Sequence, residues 1–158
     1  MNNAKQQVPV NSDLQFCWYQ LEEMGPIVLY DMLALRQGIF VVEQSCIYHD
    51  LDGLDKSAQH LLAWDKGKLV ACLRLLPADS QNSYLRIGRV AVSMDSRSKG
   101  IAGAMMRKAI KKAQRDFSSD TICLNAQTYL QEFYESLGFH VNGEEFLEDG
   151  IPHIHMQM

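Results

Sequence analysis

Arg86-Ile-Gly-Arg-Val-Ala-Val92 runs, four residues later, into Arg97-Ser-Lys-Gly-Ile-Ala-Gly103. The first half is apolar or β-branched at Ile87, Val90 and Val92 and reads as a strand. The second half opens a helix, because from Ile101 the period changes: Ala102, Met106, Ala109, Ile110, Ala113 and Phe117 form one stripe, and Arg107, Lys108, Lys111, Lys112 and Arg115 point elsewhere. A strand therefore feeds a glycine-bearing turn at a helix N-terminus. The first-turn amides of a helix have no intrahelical partner and sit at its positive dipole end, so they can hold an anion when side chains leave the approach open. Gly100, Ala102 and Gly103 leave it open, and Arg97 and Lys99 either add charge or frame the loop. The same glycines would also allow close packing of helix on sheet, and the sequence keeps both readings. Other phosphate motifs fail on spacing: Gly103 is followed by Ala104 and Met105 rather than Lys and Ser or Thr, and no three-glycine dinucleotide fingerprint is present.

Outward from this stretch, Leu14 to Tyr19 alternates weakly as a first strand, and Gly25-Pro26 opens a helix with apolar residues at Val28, Met32, Leu35 and Ile39. An irregular acidic segment from His49 to Asp55 precedes a hairpin, His60 to Trp64 and Lys68 to Leu76, turned by Asp65-Lys66-Gly67. Downstream, Thr121 to Ala126 reads as a short buried strand, Tyr129 to Ser136 as a helix ended by Gly138, Phe139 to Val141 as a strand, and Ile151 to Met158 as a last strand. The order predicts one α/β (α+β) domain with a mixed central sheet flanked by helices. Residues 13–158 would form it, after a flexible segment 1–12.

With 158 residues, 47% of them hydrophobic, one domain can bury a core without staples. A net charge of -4 disfavours a nucleic-acid binder that works by broad phosphate neutralisation. Cys17, Cys46, Cys72 and Cys123 are too scattered for a zinc knuckle or a disulfide framework, and the five histidines form no metal signature, so no metal is expected. Neither a signal peptide nor a membrane-spanning run is visible, and a cytoplasmic protein without membrane partners is the expectation.

Arg97-x-x-Gly100-x-Ala102 after a Val-Ala-Val strand resembles the acetyl-CoA pyrophosphate loop of the GNAT N-acetyltransferase superfamily, with Ala102 where many relatives have glycine. Phe133-Tyr134-Glu-Ser-Leu-Gly138-Phe139 is similar to the family's second signature. Arg36-Gln-Gly-Ile-Phe-Val-Val-Glu-Gln44, the acidic segment ending at Asp55, His60, and Glu148-Asp-Gly-Ile-Pro-His153 look like its ElaA-like branch. The resemblance, which covers the chain from about Leu14 onward, implies transfer of acetyl from acetyl-CoA directly to an amine. Val90, Ala91 and Val92 would bind the pantetheine arm and polarise the thioester carbonyl. Arg97, Ser98, Lys99, Gly100, Ile101, Ala102 and Gly103 would hold the pyrophosphate, and Tyr134 would stand near the sulfur as general acid. A non-catalytic acyl-CoA-binding sensor or regulatory module is the alternative.

A phenol of ordinary pKa near 10 is protonated at neutral pH and can donate to a departing thiolate. Asn125 would bond the pantetheine or a nearby water, or else cap the following helix. Glu43, His60 and His153 are the candidate bases for the ammonium proton. Asp50, Asp52 and Asp55 would attract a cationic amine or form a solvated surface. The basic face of the Ile101 helix would meet the 3′-phosphate of CoA or simply face water. The acceptor is unidentified: a small amine, a peptide or a protein lysine all fit, as do a monomer and a homodimer.

Overall fold

The computed structural model describes residues 13–117 and 121–158, and the expectation for residues 1–12 lies outside them. In chain order the elements are β1 (Leu14–Gln20), α1 (Pro26–Arg36), β2 (Gln59–Asp65), β3 (Lys68–Leu76), β4 (Leu85–Val92), α2 (Ile101–Asp116), β5 (Ile122–Gln127), α3 (Gln131–Glu135), β6 (His140–Glu148) and β7 (Ile151–Gln157). The strands form one mixed sheet in the order β1-β2-β3-β4-β5-β7-β6, in which only β4 and β5 run parallel. This is the expected fold class.

Local chemistry explains the elements. Pro26 occupies the start of α1, where its missing N–H costs nothing. Lys66 and Gly67, both at positive φ, make the two-residue turn that joins β2 to β3 with a twist matching the strands. The stripe of α2 buries Ile101, Met105, Met106, Ala109, Ile110 and Ala113 against one face of the sheet, with each larger side chain contributing about 1.5–3 kcal/mol. A charge at Met106, which is fully buried, would break that contact. On the opposite face α1 packs chiefly over β3 and β4, through Met32 and its neighbours.

Three boundaries differ from the sequence reading. After Arg36, α1 widens into a π-helical stretch, Gln37–Glu43, where Gly38 and the β-branched Ile39, Val41 and Val42 weaken regular α-helix. The helix expected from Tyr129 shortens to α3, preceded by a 3-10 turn at Thr128–Leu130. The strand expected to end at Val141 instead runs on, through an irregularity between Val141 and Glu145, to Glu148. As an exposed edge strand it carries no core-facing alternation to reveal it.

The feature that positions the site is a parting of the sheet. β4 pairs with β5 only at Leu85↔Ile122 and Arg86↔Cys123, and from Ile87 onward that edge of β4 has no strand beside it. The departure coincides with a bulge. Arg74 faces Gly88 and Cys72 faces Ala91, so Leu73 of β3 stands against both Arg89 and Val90. Arg89 takes φ +51, left-handed backbone that bends the strand.

Candidate active site

Between the parted strands lies a cleft of about 1230 Å³. Its walls include Ile87 to Val92 of β4, the turn from Arg97 to Gly103 except Lys99, Asn125 of β5, Tyr134 of α3 and His153 of β7. Of the candidate catalytic and cofactor-contacting residues singled out in the sequence, the cleft is lined by all except Lys99 and His60.

Among the described residues, the turn leaves successive backbone amides free. Gly100, at φ +76, precedes the helical Ile101, and this left-handed to right-handed sequence aims successive amides to one side. The first α2 amide to reach a carbonyl is that of Ala104, on Gly100 O at 3.0 Å, so the amides of Ile101, Ala102 and Gly103 precede the first helical bond. Packing does not demand the small residues here. A Cβ at Gly100 would meet nothing within 4 Å, and one at Gly103 would meet only the flexible guanidinium of Arg107, nearest atom 3.3 Å away. Close helix–sheet packing therefore does not account for either glycine.

The loop's basic residues frame it. Lys99 Nζ donates to Asp95 O at 2.8 Å. Arg97 donates from Nε to Val92 O and grips Glu43 with both terminal nitrogens, at 2.6 and 2.8 Å. That grip holds the Glu43 carboxyl below its usual pKa, so Glu43 is a poor proton acceptor and acts as a brace between the π-helical stretch and the loop.

Tyr134 is 7% exposed, its ring set edge-on to Phe133 and Phe139. Burial, helped by nearby Tyr129, pushes its pKa up to about 12. Asn125 Oδ1 pairs with His155 Nδ1 at 3.0 Å, which leaves its amide N–H groups for the cleft. His153 Nδ1 lies 2.7 Å from Ile151 O; because a carbonyl only accepts, the proton of the neutral ring sits on Nδ1 and the lone pair on Nε2. Glu148 Oε2 lies 3.8 Å from that Nε2. His153 pairs with Gln127 at the end of β5, and both residues line the cleft with Val90.

His60 lies elsewhere. It is 1% exposed, with Nε2 donating to Asp55 O at 3.1 Å, and burial lowers its pKa. It borders a charge network that the sequence reading missed. Arg36, 1% exposed, donates to Asp50 and Asp55 at 2.8 and 2.7 Å, and Arg74 holds Asp52 through two 2.8 Å bonds and Asp55 through one of 3.2 Å. Arg89 Nε forms an ion pair with Asp50 at 2.7 Å, its NH2 group reaches Asp50 O and Asp52, and its guanidinium lies over the Tyr48 ring. Asp50, Asp52 and Asp55 are therefore neither a solvated surface nor a free amine trap. Burial would raise the Asp52 and Asp55 pKa values, but the arginine bonds win: Asp52 falls to about 2 and Asp55 shifts down. The available signal was an arginine inside each of two apolar patterns, Leu73-Arg74-Leu75 and the Met32–Arg36 helical pair, since a buried cation needs a partner.

Among the described residues no helix is long and apolar enough to cross a membrane, and no group of three or more His, Cys, Asp or Glu is placed to hold a metal ion. Residues 36–158 match the family model for an acetyltransferase (GNAT) domain. The chain is 40% identical to a UPF0039 protein of Schizosaccharomyces pombe, over 93% of this chain and 98% of that one. It is 39% identical to protein ElaA of Escherichia coli K12, over 88% and 94%, and the crystal structure of Escherichia coli ElaA superposes with a TM-score of 0.85 at 36% identity, over 91% and 98%. An acyl-CoA N-acyltransferase from Pseudomonas aeruginosa superposes with a TM-score of 0.86 at 38% identity, over 91% of this chain and 98% of that one. With the parted sheet and the amide cradle at its mouth, these likenesses identify the chain as a member of the GNAT acetyltransferase superfamily, in its ElaA-like branch.

Proposed function

We propose that the protein transfers an acetyl group from acetyl-CoA directly to the nitrogen of an amine. The observation that carries this reading is the continuity of one cleft from the amides of Ile101–Gly103, past the unpaired edge of β4, to Tyr134 and His153. The cradle amides bind the pyrophosphate, and the edge of β4 from Val90 to Val92 holds the pantetheine arm as a strand holds its neighbour. Asn125 offers its amide group to the same arm. A rigid backbone N–H of β4 meets the carbonyl oxygen where negative charge develops. The amine reaches its neutral form by giving a proton to His153 Nε2, directly or through water. The C–N bond forms, the C–S bond breaks, and the nitrogen releases its second proton to water.

Tyr134 then donates a hydrogen bond to the departing sulfur. With its pKa at about 12 the phenol holds its proton more tightly than an ordinary thiol of pKa about 8.5, so its main work is to stabilise the thiolate. Tyr134→Phe should keep the acetyl-CoA dissociation constant within about twofold in a calorimetric titration and lower turnover at least about tenfold, the loss expected for a hydrogen bond to a charged group. Unchanged turnover would remove Tyr134 from the mechanism. A screen of pooled amines that reads free thiol tests the larger claim, because acetyl-CoA binding with no thiol release for any amine would favour the sensor module.

A further inference from the structure

One wall of the cleft differs from the rest in charge. Arg97 is matched by Glu43, and Arg86 by Asp79 at 2.9 Å. Arg74 and Arg89 belong to the closed set with Arg36, in which three guanidinium groups meet the carboxylates of Asp50, Asp52 and Asp55. Two charged residues of the lining stand outside these pairs, Glu148 and Asp149, and among the described residues neither has a lysine or arginine partner. They sit at the β6–β7 turn, which Cys46 Sγ joins to the far wall through Asp149 O at 3.4 Å.

A second observation points to a ligand at this place. His153 is 9% exposed and lines the cleft; its Nδ1–H is spent on Ile151 O, and its Nε2 makes no hydrogen bond among the described residues. An acceptor left open in a cleft wall is free to take a hydrogen bond from a donor that enters the cleft. The donor this wall suits is an N–H carried by a positive charge, for Glu148 lies 3.8 Å from the open nitrogen and Asp149 follows it in the chain. An α-amino acid would bring its carboxylate toward two carboxylates with every nearby guanidinium already engaged, and such like-charge contact is a strong means of rejection.

We infer that the acceptor is a cationic aliphatic amine with no carboxylate beside the reacting nitrogen, received by Glu148 and Asp149 and delivered to His153. The inference rests on the transferase reading above. In the reaction the ammonium loses its first proton to His153, its nitrogen bonds the acetyl carbon, and as the C–S bond breaks and the sulfur leaves as thiolate the nitrogen gives its second proton to water, leaving the neutral amide.

The test measures thiol release from acetyl-CoA with three probes: cadaverine, pentylamine and glycine. Cadaverine should exceed glycine in kcat/KM by at least about tenfold, with pentylamine between them, because the second ammonium finds the second carboxylate. Glu148→Gln should raise the cadaverine KM about three- to tenfold without moving the acetyl-CoA KM, and Asp149→Asn should raise it less. If a variant fails to fold, the probe order in the unaltered protein decides. Glycine used as well as cadaverine, or a cadaverine KM indifferent to both substitutions, overturns the inference and leaves the transferase reading standing. No thiol release with any amine, acetyl-CoA still binding, overturns both.

Discussion

Arg89 is the residue on which the shape of the cleft turns. A side chain other than glycine in left-handed backbone costs on the order of 1–3 kcal/mol and persists only where its surroundings enforce it. Here they do, through Asp50, Asp52 and the face of Tyr48. Arg89→Ala keeps the strained backbone and loses the latch, so it should cost about 1–3 kcal/mol in denaturant unfolding and lower turnover about tenfold. Arg89→Gly should recover part of the stability and little of the turnover. A glycine variant as active as the parent would show that the bulge needs no guanidinium. None of this was legible beforehand, because one extra residue in a short strand leaves no mark on its alternation. The three aspartates were misjudged for a related reason: spacing shows carboxylates close in sequence, whereas their arginine partners come from α1, β3 and β4. That Tyr134, Asn125 and the turn share one cleft was readable because their positions depend on local order along the chain.

At the scale of elements, the start of α2 is where the proposed pyrophosphate site can be tested against helix stability. Gly100→Val puts a β-branched side chain at φ +76, into open space but against its own backbone, and should weaken acetyl-CoA binding about tenfold or more by calorimetry. Gly103→Ala separates the two effects. It should stabilise the helix by about 0.5–1 kcal/mol in thermal unfolding, since alanine is the better helix former and only the end of Arg107 has to yield. The same methyl, set among the cradle amides, should raise the dissociation constant severalfold. Equal affinity in both variants would move the pyrophosphate away from this helix. The helix itself was plain in the sequence, with a stripe of sixteen residues' length, whereas β6 was half missed because an edge strand in water has no buried face to betray it.

For the whole molecule, the buried network predicts how the fold responds to acid. The folded-state pKa of His60 lies below the ordinary 6.5, so the native protein favours the neutral ring. Its contribution is complete above about pH 6.5 and is lost as pH falls through the lowered value. Asp52, lowered from 3.8 to about 2, adds stability above pH 3.8 that drains away between those values. Thermal unfolding should therefore show a first decline below about pH 6.5 and a second below about pH 4. His60→Gln, which retains a donor for Asp55 O, should flatten the first and spare the second; a first decline that survives it would assign that titration to another group. The overall architecture was legible because element order and apolar periodicity constrain a mixed sheet strongly. Where that sheet separates was not, since it depends on which pairings fail to form. The consequence of joining β4 to β5 by two rungs at one end is mechanical. The halves of the sheet have the geometry of tongs, closed at Arg86–Cys123 and open at the tips, so that spreading the tips would break no rung between β4 and β5.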